Sequence, residues 1–139
     1  MSHIVLVACA NQKGVKPAKA ADLYQGSLFR KSMAYARSLR PDAIYILSAK
    51  YGLLGVEDEI TPYNVTLNEM NRSAMEGWAL RVLDQLRRVA DLQSDHFTIL
   101  AGERYRRGLL PHIAHCMVPM AGQSIGRQLK LLKEAVSDE

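Results

Sequence analysis

What most narrows the fold of this chain is how its apolar runs end. Ile4-Val5-Leu6-Val7-Ala8 leads into Cys9-Ala10-Asn11-Gln12-Lys13-Gly14, Ile44-Tyr45-Ile46-Leu47 into Ser48-Ala49-Lys50-Tyr51-Gly52, and Phe97-Thr98-Ile99-Leu100 into Ala101-Gly102-Glu103-Arg104-Tyr105. Short apolar runs of this kind read as buried strands, and here each one stops at a polar or glycine cluster instead of a plain turn. In an open parallel sheet the C-terminal strand ends share one edge, and ligands bind in the crevice there. Three clusters far apart in sequence are therefore expected to form one rim.

Helical patterns alternate with these strands. Ser27 is placed to cap a helix with Leu28, Phe29, Met33, Ala36 and Leu39 at helical spacing, and Pro41 ends it. Ser73-Ala74-Met75-Glu76 has the form of a capping box, opening a helix whose apolar stripe is Met75, Trp78, Ala79, Val82, Leu83, Leu86, Val89 and Ala90. Arg81, Asp84, Gln85, Arg87 and Arg88 lie opposite. A strand over His96–Ala101, a short helix from Glu103, a fourth strand over Cys116–Pro119 and a last helix capped by Ser124, with Ile125, Leu129, Leu132 and Val136 inward, complete the order. From Leu53 to Asn71 no period is evident, and an irregular excursion is expected. The βαβαβαβα order predicts a three-layer α/β/α sandwich, with a mainly parallel sheet of about four strands, as one domain over residues 1–139.

Composition excludes several classes. The chain is 48% hydrophobic and 23% charged, with no apolar run long enough for a membrane span, so no membrane partner is expected. The apolar stretch after Met1 is too short for a signal peptide, and Lys13, Lys16 and Lys19 follow it. A cytoplasmic location is expected, and the two cysteines, Cys9 and Cys116, read as small buried hydrophobes. Before residue 41 seven basic residues face the single acid Asp22. Either Arg30, Lys31, Arg37 and Arg40 are the solvated face of a helix, or this half of the chain meets a phosphate-bearing partner.

No standard short motif carries the function. Asn11-Gln12-Lys13-Gly14 is not a P-loop, and neither the dinucleotide fingerprint nor a nucleophile elbow is present. His112 and Cys116 have one-turn spacing, but Pro111 disrupts a shared helical face; no metal and no cofactor are expected.

What remains is a constellation on the rim. Cys9, Lys13, Tyr24, Ser48, Tyr51, Gly52, Tyr63, Gly102 and Tyr105 are the candidate ligand-binding residues, and Asp22, Lys50 and Glu103 the candidate catalytic ones. Ammonium and phenol groups suit an anionic or ring-bearing ligand, and a carboxylate suits proton transfer or cation stabilisation. A single tyrosine here would be ordinary half-buried packing. Several polar side chains on one rim favour a site.

The segments Asp22-Leu23-Tyr24-Gln25-Gly26-Ser27-Leu28-Phe29-Arg30-Lys31, Ile46-Leu47-Ser48-Ala49-Lys50-Tyr51-Gly52-Leu53, Pro62-Tyr63-Asn64-Val65-Thr66-Leu67, Leu100-Ala101-Gly102-Glu103-Arg104-Tyr105 and Gly126-Arg127-Gln128-Leu129 resemble a small uncharacterised domain family of bacteria and phages. More distantly, Leu47–Leu54 followed by Ile60-Thr61-Pro62-Tyr63 is similar to the Ser-x-x-Tyr-Gly-Leu and Pro-Tyr stretches of the YaaA-type peroxide-stress proteins, which bind DNA. At fold level the chain is similar to the uracil-DNA-glycosylase class of α/β sandwich, without its water-activating motif.

Two functions are expected as alternatives. One is an enzyme acting on a nucleotide or nucleic-acid base, cleaving or exchanging an N-glycosidic bond. Lys13 and Lys50 would hold phosphate, Tyr24 or Tyr63 would stack on the base, and Asp22 or Glu103 would stabilise an oxocarbenium ion or activate water. The other is a non-catalytic DNA- or RNA-binding protein using the same basic rim. A Cys9 nucleophile ranks last, because no histidine is near it in sequence.

Overall fold

A computed structural model describes residues 2–9, 14, 16–63 and 67–137 of the chain, with the side chains of 68, 125 and 135–137 excepted. The elements in chain order are β1 (His3–Ala8), β2 (Ala18–Lys19), α1 (Ala20–Leu23), α2 (Ser27–Ser38), β3 (Ala43–Ser48), β4 (Gly52–Gly55), β5 (Glu59–Ile60), α3 (Arg72–Arg87), β6 (His96–Leu100), α4 (Glu103–Arg106), β7 (His115–Met117) and α5 (Ile125–Ser137), with 3-10 turns at Leu67–Glu69 and Leu110–His112. The apolar runs become a five-stranded sheet of order β4-β3-β1-β6-β7. It is parallel except at one edge, where β4 runs antiparallel to β3. The expected four-stranded sheet is thus a five-stranded one, mainly parallel and covered on both faces by helices.

Alternation along the strands sorts the core into two layers. Ile4 and Leu6 of β1, with Phe97 and Ile99 of β6, point to one face and meet Trp78, Ala79, Val82, Leu83 and Leu86 of α3. Val5 and Val7 point to the other and meet Phe29, Met33 and Ala36 of α2, beside which α5 packs. Fully burying a side chain of this size contributes about 1.5–3 kcal/mol, so central β1, with four buried residues, is the main anchor of the sheet.

Several local expectations are corrected. The excursion after Leu53 carries two strands: β4 closes a hairpin on β3, and β5 pairs antiparallel with β2. A further short helix, α1, precedes α2 and contains Asp22; its first amides donate to Asp58 and Val56 carbonyls of the excursion at 2.7 and 3.1 Å. Ser27 is the first residue of α2, not its cap, which is Gly26 with φ of 105°. Nor does Ser73 cap α3: Asn71 takes the extended cap conformation, and its Oδ1 accepts from the Ala74 amide at 2.8 Å. Ser73 therefore sits inside the first turn, and Glu76 meets Arg72 at 3.5 Å instead of reaching back to the cap amide. Val89 lies beyond α3 and is exposed. The last strand ends at Met117, short of Pro119, and is exposed throughout; Cys116 is exposed and Cys9 half-buried, so neither is the fully buried hydrophobe expected. Ser124 does accept from the Arg127 amide, at 3.2 Å, as a cap of α5 should.

Candidate hydroxyl site at the strand ends

Parallel pairing sets the ends of β1, β3 and β6 side by side, since Ala8 registers with Leu47 and Val7 with Leu100. Cys9 continues the ladder by donating its amide to the Leu47 carbonyl at 2.9 Å. Cys9, Ser48 and the residues following Leu100 are therefore on one rim, as the polar strand ends require.

Ser48 is the floor of the rim. It is fully buried, and its Oγ lies 2.7 Å from the Tyr63 hydroxyl and accepts from the Tyr51 amide at 3.1 Å. The Tyr63 hydroxyl in turn forms a very short hydrogen bond with that of Tyr24. Ser48 also bonds to the Tyr24 hydroxyl, so the three hydroxyls form one buried hydrogen-bonded group. A second link lies alongside: Cys9 Sγ is 3.2 Å from the Tyr105 hydroxyl, the Tyr105 ring stands edge-on to Trp78 at 5.5 Å, and Trp78 Nε1 donates to the Ser48 carbonyl at 2.8 Å. Six separated segments of sequence thus converge on one cluster of hydroxyl, thiol and indole groups.

Burial sets the electrostatics. It pushes the Tyr24 phenol up to about 12, against hydrogen bonds that favour the ionised form, and it also raises the phenols of Tyr63 and Tyr105. All three are therefore neutral donors at pH 7. Tyr51 differs: its hydroxyl is 3.1 Å from Thr61 Oγ1, and that hydrogen bond, followed by the Lys50 charge, lowers it. Lys50 Nζ lies 5.3 Å from the Tyr51 ring centroid and 6.0 Å from that of Tyr63, within range of cation–π attraction. Among the described residues it forms no ion pair with the acids of the excursion, of which Glu57 bridges Lys19 at 2.7 Å.

The turn that presents Lys50 and Tyr51 is clamped by α3. Arg81 donates to the Lys50 carbonyl at 2.8 Å, and Gln85 accepts from the Leu53 amide at 2.9 Å. Gly52, between them, has φ of +77°, and a Cβ there would collide with Gln85 Oε1. The positive φ is what calls for glycine here, and a side chain would also push Gln85 away from the Leu53 amide.

Not every expected residue joins the cluster. Asp22 is exposed on α1, two residues before Tyr24. Glu103 is exposed, and its carboxylate is held 2.8 Å from Arg107, which lowers its pKa. Gly102 is the cap residue of α4, with open space where a Cβ would stand. Lys13 lies outside the described residues. The sequence pattern assigns Trp78 to the core stripe and Arg81 and Gln85 to the solvated face; their spacing of three and four residues, which puts them on one side of the helix, is the signal for a shared role. Among the described residues no group of three metal-ligating side chains occurs, and no helix is long and apolar enough to cross a membrane.

These features define an α/β sandwich with a hydroxyl-lined candidate site where its parallel strands end. The chain belongs to a family of unknown function, DUF6884, whose model matches residues 4–134. No curated protein and no solved structure matches it.

Proposed function

We propose that the protein acts on a nucleotide or nucleic-acid base held at this rim, with cleavage or exchange of an N-glycosidic bond as the reaction. The observation that carries this reading is the buried hydroxyl chain Ser48–Tyr63–Tyr24 lying beneath the ammonium group of Lys50. When the C–N bond breaks, its electron pair moves onto the base, and a neutral donor facing the base stabilises that developing charge. Phenols whose pKa is raised by burial keep their protons at neutral pH and serve as such donors. Lys50 meets the phosphate, and Tyr51 offers a ring face to the ligand. Water then adds its hydroxyl to the sugar carbon while its proton passes to the base.

A second reading is a non-catalytic DNA- or RNA-binding protein, akin to the YaaA-type proteins of bacteria. One observation favours it: Glu103 is engaged by Arg107, and the hydrogen bonds joining the described cluster involve no carboxylate. A cytoplasmic setting goes with either reading, because the Cys9 thiol would stay reduced there.

Incubation with nucleoside monophosphates and short oligonucleotides, with free base followed by chromatography, tests both. Base release that falls at least tenfold in Tyr63→Phe supports the enzyme. Saturable binding without release supports the second reading, and neither binding nor release refutes both.

A further inference from the structure

We infer that the partner is a single strand of nucleic acid longer than one nucleotide, seated in a basic groove that crosses the first turns of α3 beside the rim. The inference rests on the reading of the rim as a nucleotide site and names the form of its substrate.

Two recesses flank the N-terminal half of α3. One, of about 310 Å³, lies against the β3–β4 turn and carries Lys50 and Arg81 over Trp78. The other, of about 610 Å³, lies between α3 and α4 and carries Arg72, Arg104 and Arg107 over Met75. Met70 lines both, so the two recesses adjoin at its side chain. Both open where the strands end, because the path is bounded by Ala49-Lys50 after β3 and by Arg104 after β6.

The charge along this path suits phosphates. Among the described residues no carboxylate pairs with Lys50, Arg81 or Arg104. Arg104 rests instead on Met75, its Nη1 3.6 Å from Sδ. Arg72 and Arg107 are in exposed one-turn pairs with Glu76 and Glu103, weak bonds that a phosphate displaces. The floor of methionine and tryptophan edge offers apolar surface for base faces, and arginine adds planar stacking. The cations are divided between the two sides of α3, so one phosphate cannot reach both sets. A strand with several phosphates can, and a recess between helices admits one strand more readily than a duplex.

The test is fluorescence anisotropy with labelled oligodeoxythymidylates of one, two, four and eight nucleotides, a hairpin duplex and an oligoglutamate peptide, at two salt concentrations. Affinity should climb at least tenfold from one nucleotide to eight, with a salt slope of about −2 for three phosphate contacts at roughly −0.7 each. Arg104→Ala should weaken the eight-nucleotide strand several-fold and leave the mononucleotide unchanged. Gly77→Glu is the second variant: Gly77 lines the smaller recess with open space where its Cβ would stand, so the substitution adds an acid to the path without a clash. It should weaken the eight-nucleotide strand several-fold and, because this recess also carries Lys50, weaken the mononucleotide as well. A mononucleotide bound as tightly as the longest strand, or indifference to both variants, overturns the groove and leaves the rim reading intact. Preference for the duplex or the peptide overturns the single-strand assignment. Failure of every nucleotide probe to bind removes the groove and the rim reading together.

Discussion

Tyr63→Phe tests the hydroxyl chain directly. The substitution keeps the ring, and with it the edge contacts to Tyr24 and Tyr51 at 6.2 and 5.5 Å, and removes one oxygen atom that bonds to both Ser48 and Tyr24. Ser48 is 0% exposed, so the bonds that Tyr63 made to it and to Tyr24 are lost where water cannot replace them. Stranding one buried polar group costs about 1–3 kcal/mol, whereas losing a bond at a solvated site costs a few tenths. The expected loss is therefore roughly 2 kcal/mol, read as a lower urea midpoint with unchanged slope. Tyr51→Phe is the control, since its hydroxyl meets Thr61 at an exposed site; it should shift stability by less than about 0.5 kcal/mol. Ser48→Ala should recover part of the deficit in the double variant, because both partners of the buried bond are then gone, and a coupling of at least about 0.5 kcal/mol is expected. A Tyr63→Phe protein as stable as the parent, or strictly additive effects, would refute the buried chain.

Asn71→Ala should cost about 1 kcal/mol and Ser73→Ala under about 0.5, since Asn71 caps α3; the reverse order in thermal melts would restore Ser73 as the cap. Gly52→Ala should cost roughly 1–3 kcal/mol through its positive φ and the collision with Gln85, and a neutral outcome in urea melts would remove the clamp on the Lys50 turn. Tyr24 ionises near 12 when folded and near 10 when unfolded, so the unfolded chain sheds its proton first. The stability that this phenol contributes is complete below pH 10 and declines as the pH climbs through 12. Urea melts at pH 9 and 11, compared with Tyr24→Phe, check this, and an equal decline in the variant would rule it out.

The sheet was legible because β1, β3 and β6 are continuous apolar runs, and a parallel order then dictates which ends coincide. The shared rim of Cys9, Ser48 and Gly102 followed from that alone. The strand β4 was not legible: Gly52–Gly55 holds two leucines between two glycines, too short to show a period. The cap of α3 was misread because Ser73 and Glu76 satisfy the capping-box pattern, while the chain enters the helix two residues earlier, where Asn71 can turn its side chain onto the Ala74 amide. Tyr63 was recognisable as a rim residue, but its place between Ser48 and Tyr24 depends on how the excursion folds back over the sheet, a tertiary fact with no local signature. Trp78 was assigned to the core and does lie there; its indole N–H, which steadies the Ser48 carbonyl, could be given a partner only once β3 and α3 were in place.

The central position of β1 has a consequence for synthesis. Its neighbours are β3 and β6, and β6 ends at Leu100. At about 5–20 residues per second, the first strand waits roughly 5–20 s after it is made before its second neighbour exists. During that interval Ile4-Val5-Leu6-Val7 can pair with β3 alone, leaving its other edge open. Nascent chains stalled before β6 should therefore engage holdase chaperones through this segment, and chains extended past it should let go.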